Sequence, residues 1–344
     1  MISLQQILKG GPRIPQDLTV VHLGAAGVCC ARLRHAGEQT LLLGADLLPP
    51  AVFDQNAPET VKPLALPKAL QARYVAICLS CEDAVIKLLN LPGQMGEETE
   101  SLVRENMGLG DGDYRIGYRL VSQGRHGRAE TKLLTVAVPE LAAQACCRLF
   151  PVGIPAPISI EVAGMAAMTA FASEPARQQE DYAVGCIMCD EQESFLAFFL
   201  KGELLLIRKF NFGHHDLLAL IQQKLGVDHK TARDILADGS FDVSQIVKKA
   251  MEPFVKQLVI SKHFIERREN CRLARIFVSR GDCVARDWMN EVRHGMGVEP
   301  EVWDPLGLVQ LPSEPLSASL PQMHAFSLSA VIGAALGLFA EKKS

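Results

Sequence analysis

The 344-residue chain lacks a dominant sign of charge: 35 Lys and Arg stand against 39 Asp and Glu, for a net charge of −4. That balance excludes the basic domain that broad nucleic-acid binding needs, so no nucleic-acid partner is expected. Long hydrophobic runs are missing as well. The longest late one, 326–340 ("FSLSAVIGAALGLFA"), contains two serines and two glycines. It falls short of the roughly 20 residues of a membrane span and reads as a buried helix. The N-terminus, "MISLQQILKGGPRIPQDL", has no basic head followed by a long apolar run, so no leader is expected.

What is present is ordinary for a soluble globular protein: 48% hydrophobic and 22% charged residues. A chain of 344 residues exceeds one small core, which predicts two lobes. Ten cysteines include two CxxC pairs, Cys78–Cys81 and Cys186–Cys189. Together they could be read as a four-cysteine zinc site. However, Cys78 and Cys186 fall in strand-like runs, where residues three apart point to opposite faces. Reduced thiols acting as small buried hydrophobes are the expected reading. The adjacent pair Cys146–Cys147 sits on an amphipathic helix with one thiol toward the core.

The chain opens with strands. "LTVVHLG" and "GVCCARLR" flank a glycine turn, "TLLLGADLLP" follows, and "ARYVAICLS" is a fourth strand. Then come "AVIKLLNLP", a helix in "GEETESLVRENMGL", a strand pair "YRIGYRLVSQ" and "TKLLTVAVP", and a helix "PELAAQACCRLF". "APISIEVAGMAAMTAFA" reads as a strand entering a small-residue helix. Near Asp181 the opening plan repeats: "YAVGCIMC", "SFLAFFL" and "ELLLIRKFN", with Lys201-Gly202 as a tight hairpin turn. Helices follow, one stopped by Gly226. A long one over 243–268 has apolar positions Val247, Met251, Phe254, Leu258 and Ile265 at helical spacing. Pro253 either kinks that helix or starts its second half.

The order of these segments resembles the actin-like proteins, and within them the PilM family of type IV pilus assembly proteins, relatives of the division protein FtsA. "VVHLGAAGV" stands at the family's first phosphate turn. "VIKLLNLPGQMGEETESLVRENM" and "DYRIGYRLV" are similar to its inserted module. "KGELLLIRKFNFGHHDLLALIQQKLGVDHKTARDIL" is similar to its hairpin, Phe-Gly turn and paired helices. "IFVSRGDCV" stands at its adenosine-side turn and "GVEPEVWDPLG" at its closing segment. The resemblance implies a two-lobed actin-like (ribonuclease H-like) α/β fold with an inserted subdomain. The first lobe is expected over 1–79, 153–180 and 324–344, the inserted subdomain over 80–152, and the second lobe over 181–323.

The resemblance also implies a nucleotide cleft, and this chain departs from it at each turn. His22 stands at the first acid position, and histidine is a poor Mg²⁺ ligand. If ATP or ADP with Mg binds at all, Gly24, Ala25, Ala26, Gly27 and Gly281 would hold it. At the second turn, Met188 takes the acid position. Asp190, Glu191 and Glu193 read as a solvated acidic hairpin that repels phosphate. The third turn keeps only Gly281, between Arg280 and Asp282. Hydrolysis is therefore expected to be lost, with no catalytic residue and no metal site. His214 and His215 read as surface polar residues, with Asp216 favouring the helix N-terminus.

What the resemblance leaves is a scaffold at the cytoplasmic face of the inner membrane. It implies that the N-terminal tail of a PilN-like inner-membrane protein lies in a groove built from "YVAICLSCEDAVIKLLNLP" and "EVAGMAAMTAF". Ser80, Val85, Ile86, Leu88, Leu89 and Glu161 are the candidate contacts. A PilO-like protein, pilus motor ATPases and a second copy of the chain are further implied partners. An active actin-like ATPase is the competing reading, and a zinc or redox protein the third.

Overall fold

The computed structural model describes residues 2–3, 15–24, 27–92, 95–96, 98–123, 130–174, 181–238, 241–279, 285–312 and 325–340. The chain divides into two compact units. Unit 1 takes Met1–Ser173, Pro305–Met323 and Ser327–Ser344, and unit 2 takes Glu174–Asp304 and His324–Phe326.

In unit 1 the strands are β1 (Ile2–Ser3), β2 (Asp17–Leu23), β3 (Val28–Ala36), β4 (Gln39–Leu48), β5 (Tyr74–Leu79), β6 (Val85–Pro92), β7 (Tyr114–Gln123), β8 (Glu130–Pro139) and β9 (Ala156–Val162). Its helices are α1 (Thr99–Met107), α2 (Glu140–Leu149), α3 (Ala163–Ala172) and nearly all of α8 (Ala325–Ala340). Six strands form one sheet in the order β1-β9-β5-β2-β3-β4. β2, β3 and β4 run antiparallel, while β5 and β9 lie parallel to β2. β2 and β5 are buried over almost their whole length. Covered on both faces, they need continuous apolar runs, which is why "LTVVHL" and "VAICL" show no alternation. α3 and α8 pack backbone to backbone: a Cβ on Gly333 would overlap the Ala166 carbonyl. The small residues of both helices permit that approach. Leu42 N–H donates to Gln310 O (3.0 Å) and Gln310 N–H to Thr40 O (2.9 Å). These bonds tie 305–312 to the β4 edge, so that stretch counts with unit 1 and not with the second lobe.

A separate three-stranded antiparallel sheet, β6-β8-β7, carries α1 on one face. Leu91, Val103, Met107, Leu133 and Ala137 form the core between them, with Val85 and Leu89 packed against it.

Unit 2 holds β10 (Ala183–Cys189), β11 (Ser194–Leu200), β12 (Glu203–Phe210), β13 (Leu273–Ser279) and β14 (Pro300–Trp303). Its helices are α4 (His214–Leu225), α5 (His229–Asp238), α6 (Ser244–Arg268) and α7 (Arg286–Met296). The sheet order is β12-β11-β10-β13-β14. An antiparallel meander is followed by two strands parallel to β10, the plan of β4-β3-β2-β5-β9 in unit 1. The duplication read from the pattern is thus a duplication of topology. Lys201 (φ 52°) and Gly202 (φ 77°) form the hairpin turn, and Gly226 (φ 68°) ends α4 in the left-handed region. α6 is one continuous helix with Pro253 inside it. Val247, Met251, Phe254, Leu258 and Ile265 are its buried stripe. Two short strands were not legible in the sequence: β1, only two residues long, and β14, which lies in "GVEPEVWDPLG".

Candidate functional site

The turn between β2 and β3 is closed by its own backbone. Gly24 N–H donates to Gly27 O (3.1 Å) and Gly27 N–H to Gly24 O (3.3 Å). These two amides are spent inside the turn instead of being presented to a phosphate. Ala25 and Ala26 lie outside the described residues. Gly27 is required for another reason: a Cβ there would sit 2.6 Å from Leu48 O, so the neighbouring strand leaves no room for a side chain.

His22 ends β2 fully buried. Its Nδ1 is 3.0 Å from Ser327 Oγ on α8, and its Nε2 is 3.2 Å from Ser80 Oγ just beyond β5. Sheet register places Cys29, His22, Cys78 and Glu161 side by side across β3, β2, β5 and β9. The Cys78 thiol lies 3.5 Å from Ala330 O. Burial pushes the Cys29 thiol up. It does the same to Cys78, where Glu161 adds to the effect. Cys30 is pushed up to about 12 by burial and by the nearby Asp46. Such thiols stay protonated at neutral pH and are poor nucleophiles and poor metal ligands. Among the described residues no group of His, Cys, Asp and Glu is arranged to hold a metal ion. Cys146 is buried and Cys147 half-buried on α2.

The β10–β11 turn corrects one expectation. Asp190 (7% exposed) and Glu193 (3%) are buried, so this is not a solvated acidic hairpin. Glu193 Oε2 lies 3.3 Å from Lys209 Nζ, and both side chains are nearly excluded from water. Asp190 N–H donates to Glu193 O (2.8 Å), closing the turn. The start of α4 docks on it: His214 N–H donates to Asp190 O and His215 N–H to Glu191 O. That docking explains the glycine of "NFG". A Cβ on Gly213 would overlap the backbone of Glu191 and Gln192. Gly213 N–H donates to Asp216 Oδ2 (2.9 Å), which caps α4 and favours its positive end. His214 is buried instead of lying on the surface, and His215 is exposed. Docking against the turn is what draws His214 inward. The third turn, with Arg280, Gly281 and Asp282, lies outside the described residues.

A groove lies within unit 1, between the three-stranded sheet and the end of the large one. Gly117 and Arg119 of β7, Leu134 and Val136 of β8, Ile160, Glu161 and Val162 of β9, and Met165 and Thr169 of α3 line it. Its cavity is about 60 Å³, several times the minimum that one water needs. Glu161 is 7% exposed and accepts from Ser159 Oγ at 3.3 Å.

Of the six candidate contacts, Glu161 lines this cavity. Strand alternation separates the others. Ile86 pairs with Val136 and Leu88 with Leu134 across β6 and β8, which puts both on the groove side of the sheet. Val85 and Leu89 face α1. Ser80 stands beside His22. Gly117, Arg119, Leu134, Val136 and Ile160 were not singled out from the sequence. The period-2 pattern of β7 and β8 was the available signal, but it does not say which face meets β9.

No protein-family model matches the chain, and no curated protein matches its sequence. Solved structures do match. A chain of the PilM-PilN type IV pilus biogenesis complex aligns with TM-score 0.74 and 15% identity, over 95% of this chain and 99% of that one. A protein of Bacteroides thetaiotaomicron with actin-like ATPase fold and unknown function aligns with TM-score 0.46 and 9% identity, over 86% and 93% of the two chains. MreB 5 of Spiroplasma citri bound to AMPPNP aligns with TM-score 0.45 and 11% identity, over 96% and 97%. The chain has the α/β fold of the chain it matches in the PilM-PilN type IV pilus biogenesis complex.

Proposed function

We propose that this protein is a structural component of a type IV pilus or related secretion platform, and that the unit 1 groove holds the N-terminal tail of a PilN-like membrane protein. The observation that carries this reading is the groove itself. It is made jointly by the inserted module, 80–152, and by β9 and α3 of the first lobe. Arg119 and the buried Glu161 stand in its wall. An extended tail laid along such a crease gains main-chain and pocket contacts on a preformed surface. The similarity to the PilM-PilN structure over 95% of this chain supports the same assignment.

In this reading nucleotide hydrolysis has been lost. His22 is committed to two serines, Glu193 to Lys209, and the Gly24 and Gly27 amides to each other. Among the described residues no helix is long and apolar enough to cross a membrane. The protein reaches the cytoplasmic face of the inner membrane through its partner. The test is a pull-down of the purified chain with the tails of single-span membrane proteins encoded beside its gene. Capture of one such tail, together with no phosphate release from Mg-ATP, is expected. Failure to bind any of them, or turnover of Mg-ATP by the purified chain, would sink the reading.

A further inference from the structure

The loop after α2, 151–155 ("PVGIP"), carries the two most exposed large aliphatic side chains among the described residues. Val152 is fully exposed (109%) and Ile154 is 68% exposed. Their base is buried and hydrogen-bonded. Leu149 (0%) and Phe150 (4%) are buried directly before them. Leu64 N–H donates to Leu149 O (2.9 Å), Gln71 Nε2 to Ile154 O (3.1 Å), and Ala156 N–H to Arg73 O (3.0 Å). These bonds bring the segment around 62–73 against the loop.

The charges of the two segments that meet here are all of one sign. The chain has no Asp or Glu between Glu59 and Glu82, or between Glu140 and Glu161. The same stretches hold Lys62, Lys68, Arg73 and Arg148, all exposed. Asp17, on the neighbouring strand β2, is bound by both Arg32 and Arg34. Arg32 also donates to Ala69 O, so this trio adds a net positive charge beside 68–70.

From this juxtaposition we propose that the 151–155 loop and its ring of cations are a docking site for an anionic lipid surface. Two aliphatic side chains at a tip enter the headgroup boundary while lysines and arginines behind it meet lipid phosphates. A membrane holds an apolar layer directly beneath its phosphates, so a single surface takes both the aliphatic tip and the cations behind it. The site goes beyond the tail groove: it gives the chain membrane affinity of its own. It also lies at the other end of the β5–β9 pair, since Ala156 pairs with Tyr74 and Val162 with Leu79.

The test is co-sedimentation of the full chain with two kinds of vesicle, phosphatidylcholine alone and phosphatidylcholine with about one-third phosphatidylglycerol. Binding to the anionic vesicles alone, weakened by salt, is expected. Val152→Glu with Ile154→Glu should weaken it by about tenfold or more. Lys68→Gln with Arg73→Gln and Arg148→Gln should weaken it by about a hundredfold. All these side chains are exposed, so the variants should melt like the parent and bind a groove tail peptide as before. A parent chain that binds anionic vesicles but no tail peptide would instead count against the groove and leave this site standing. The proposal is overturned if the parent ignores anionic vesicles, if it binds both vesicle types equally, or if the variants bind like the parent. It is also overturned if the chain self-associates without lipid through Val152 and Ile154.

Discussion

His22 Nδ1 lies 3.0 Å from Ser327 Oγ, a contact spanning 305 positions of the chain. It joins the end of a central strand to the C-terminal helix, and Ser80 completes the bridge from the other ring nitrogen. His22→Ala should therefore cost about 1–3 kcal/mol, because it takes a partner from the buried Ser327 hydroxyl and from the half-buried Ser80 hydroxyl. His22→Asp, which restores the acid of the resembled family, should destabilise as much or more and should not create Mg-dependent nucleotide binding. Thermal unfolding and a nucleotide titration with and without Mg²⁺ read both outcomes.

The two faces of β6 and β8 should behave differently on mutation. Leu133→Ala opens a cavity in the core under α1 and should cost about 2–5 kcal/mol. Its effect on tail binding should be no more than its effect on folding. Thr169→Trp fills the groove cavity and should reduce tail affinity by about tenfold or more, with little loss of stability because the site opens to solvent. Urea unfolding beside peptide titration separates the two. If Thr169→Trp binds the tail like the parent, the groove is not the binding site.

Breaking the pair of Glu193 and Lys209 should be severe. Their side chains are 5% and 9% exposed, so Glu193→Gln leaves a buried ammonium and should cost about 3–5 kcal/mol. The double change Glu193→Gln with Lys209→Met should recover much of that loss. A double-mutant cycle by chemical denaturation measures the coupling, and additive single effects would show that the pair does not act as one.

Alkaline pH should weaken the fold. Cys30 is raised to about 12, and Cys29 and Cys78 are raised by burial. The folded state keeps these protons above pH 9 while the unfolded chain gives them up. Stability is therefore full below the ordinary thiol range and falls as pH rises through the folded values. Each thiol contributes a slope of up to about 1.4 kcal/mol per pH unit. Urea midpoints at pH 8 through 11 test this, and Cys30→Ala should flatten the curve. A thiol reagent should label Cys29, Cys30 and Cys78 only after unfolding.

Much of the fold was legible because its signals are local. "YRIGYRLVSQ" coincides with β7 and "SFLAFFL" with β11. The α6 stripe keeps its spacing through Pro253. The candidate site was harder to read. Val85, Ile86, Leu88 and Leu89 are all apolar in sequence, and alternation splits them between two faces. Nothing local says which face covers α1. The acids of "CDEQES" look hydrophilic in a row, yet the close approach of Gly213 buries two of them under α4.

The sequence by itself determined the elements, their order and the paired three-strand meanders, because periodicity and turn chemistry act between near neighbours. It also puts His22 and Met188 where the resemblance expects turn acids. Only the tertiary structure decided what the replacements do. It placed His22 between serines from distant parts of the chain, matched Glu193 with Lys209, and closed the glycine turn on itself. It also brought β7, β8, β9 and α3 around one cavity, and left Val152 and Ile154 bare. Those are contacts between residues far apart in the chain, set by how strands register and how closely backbones can approach.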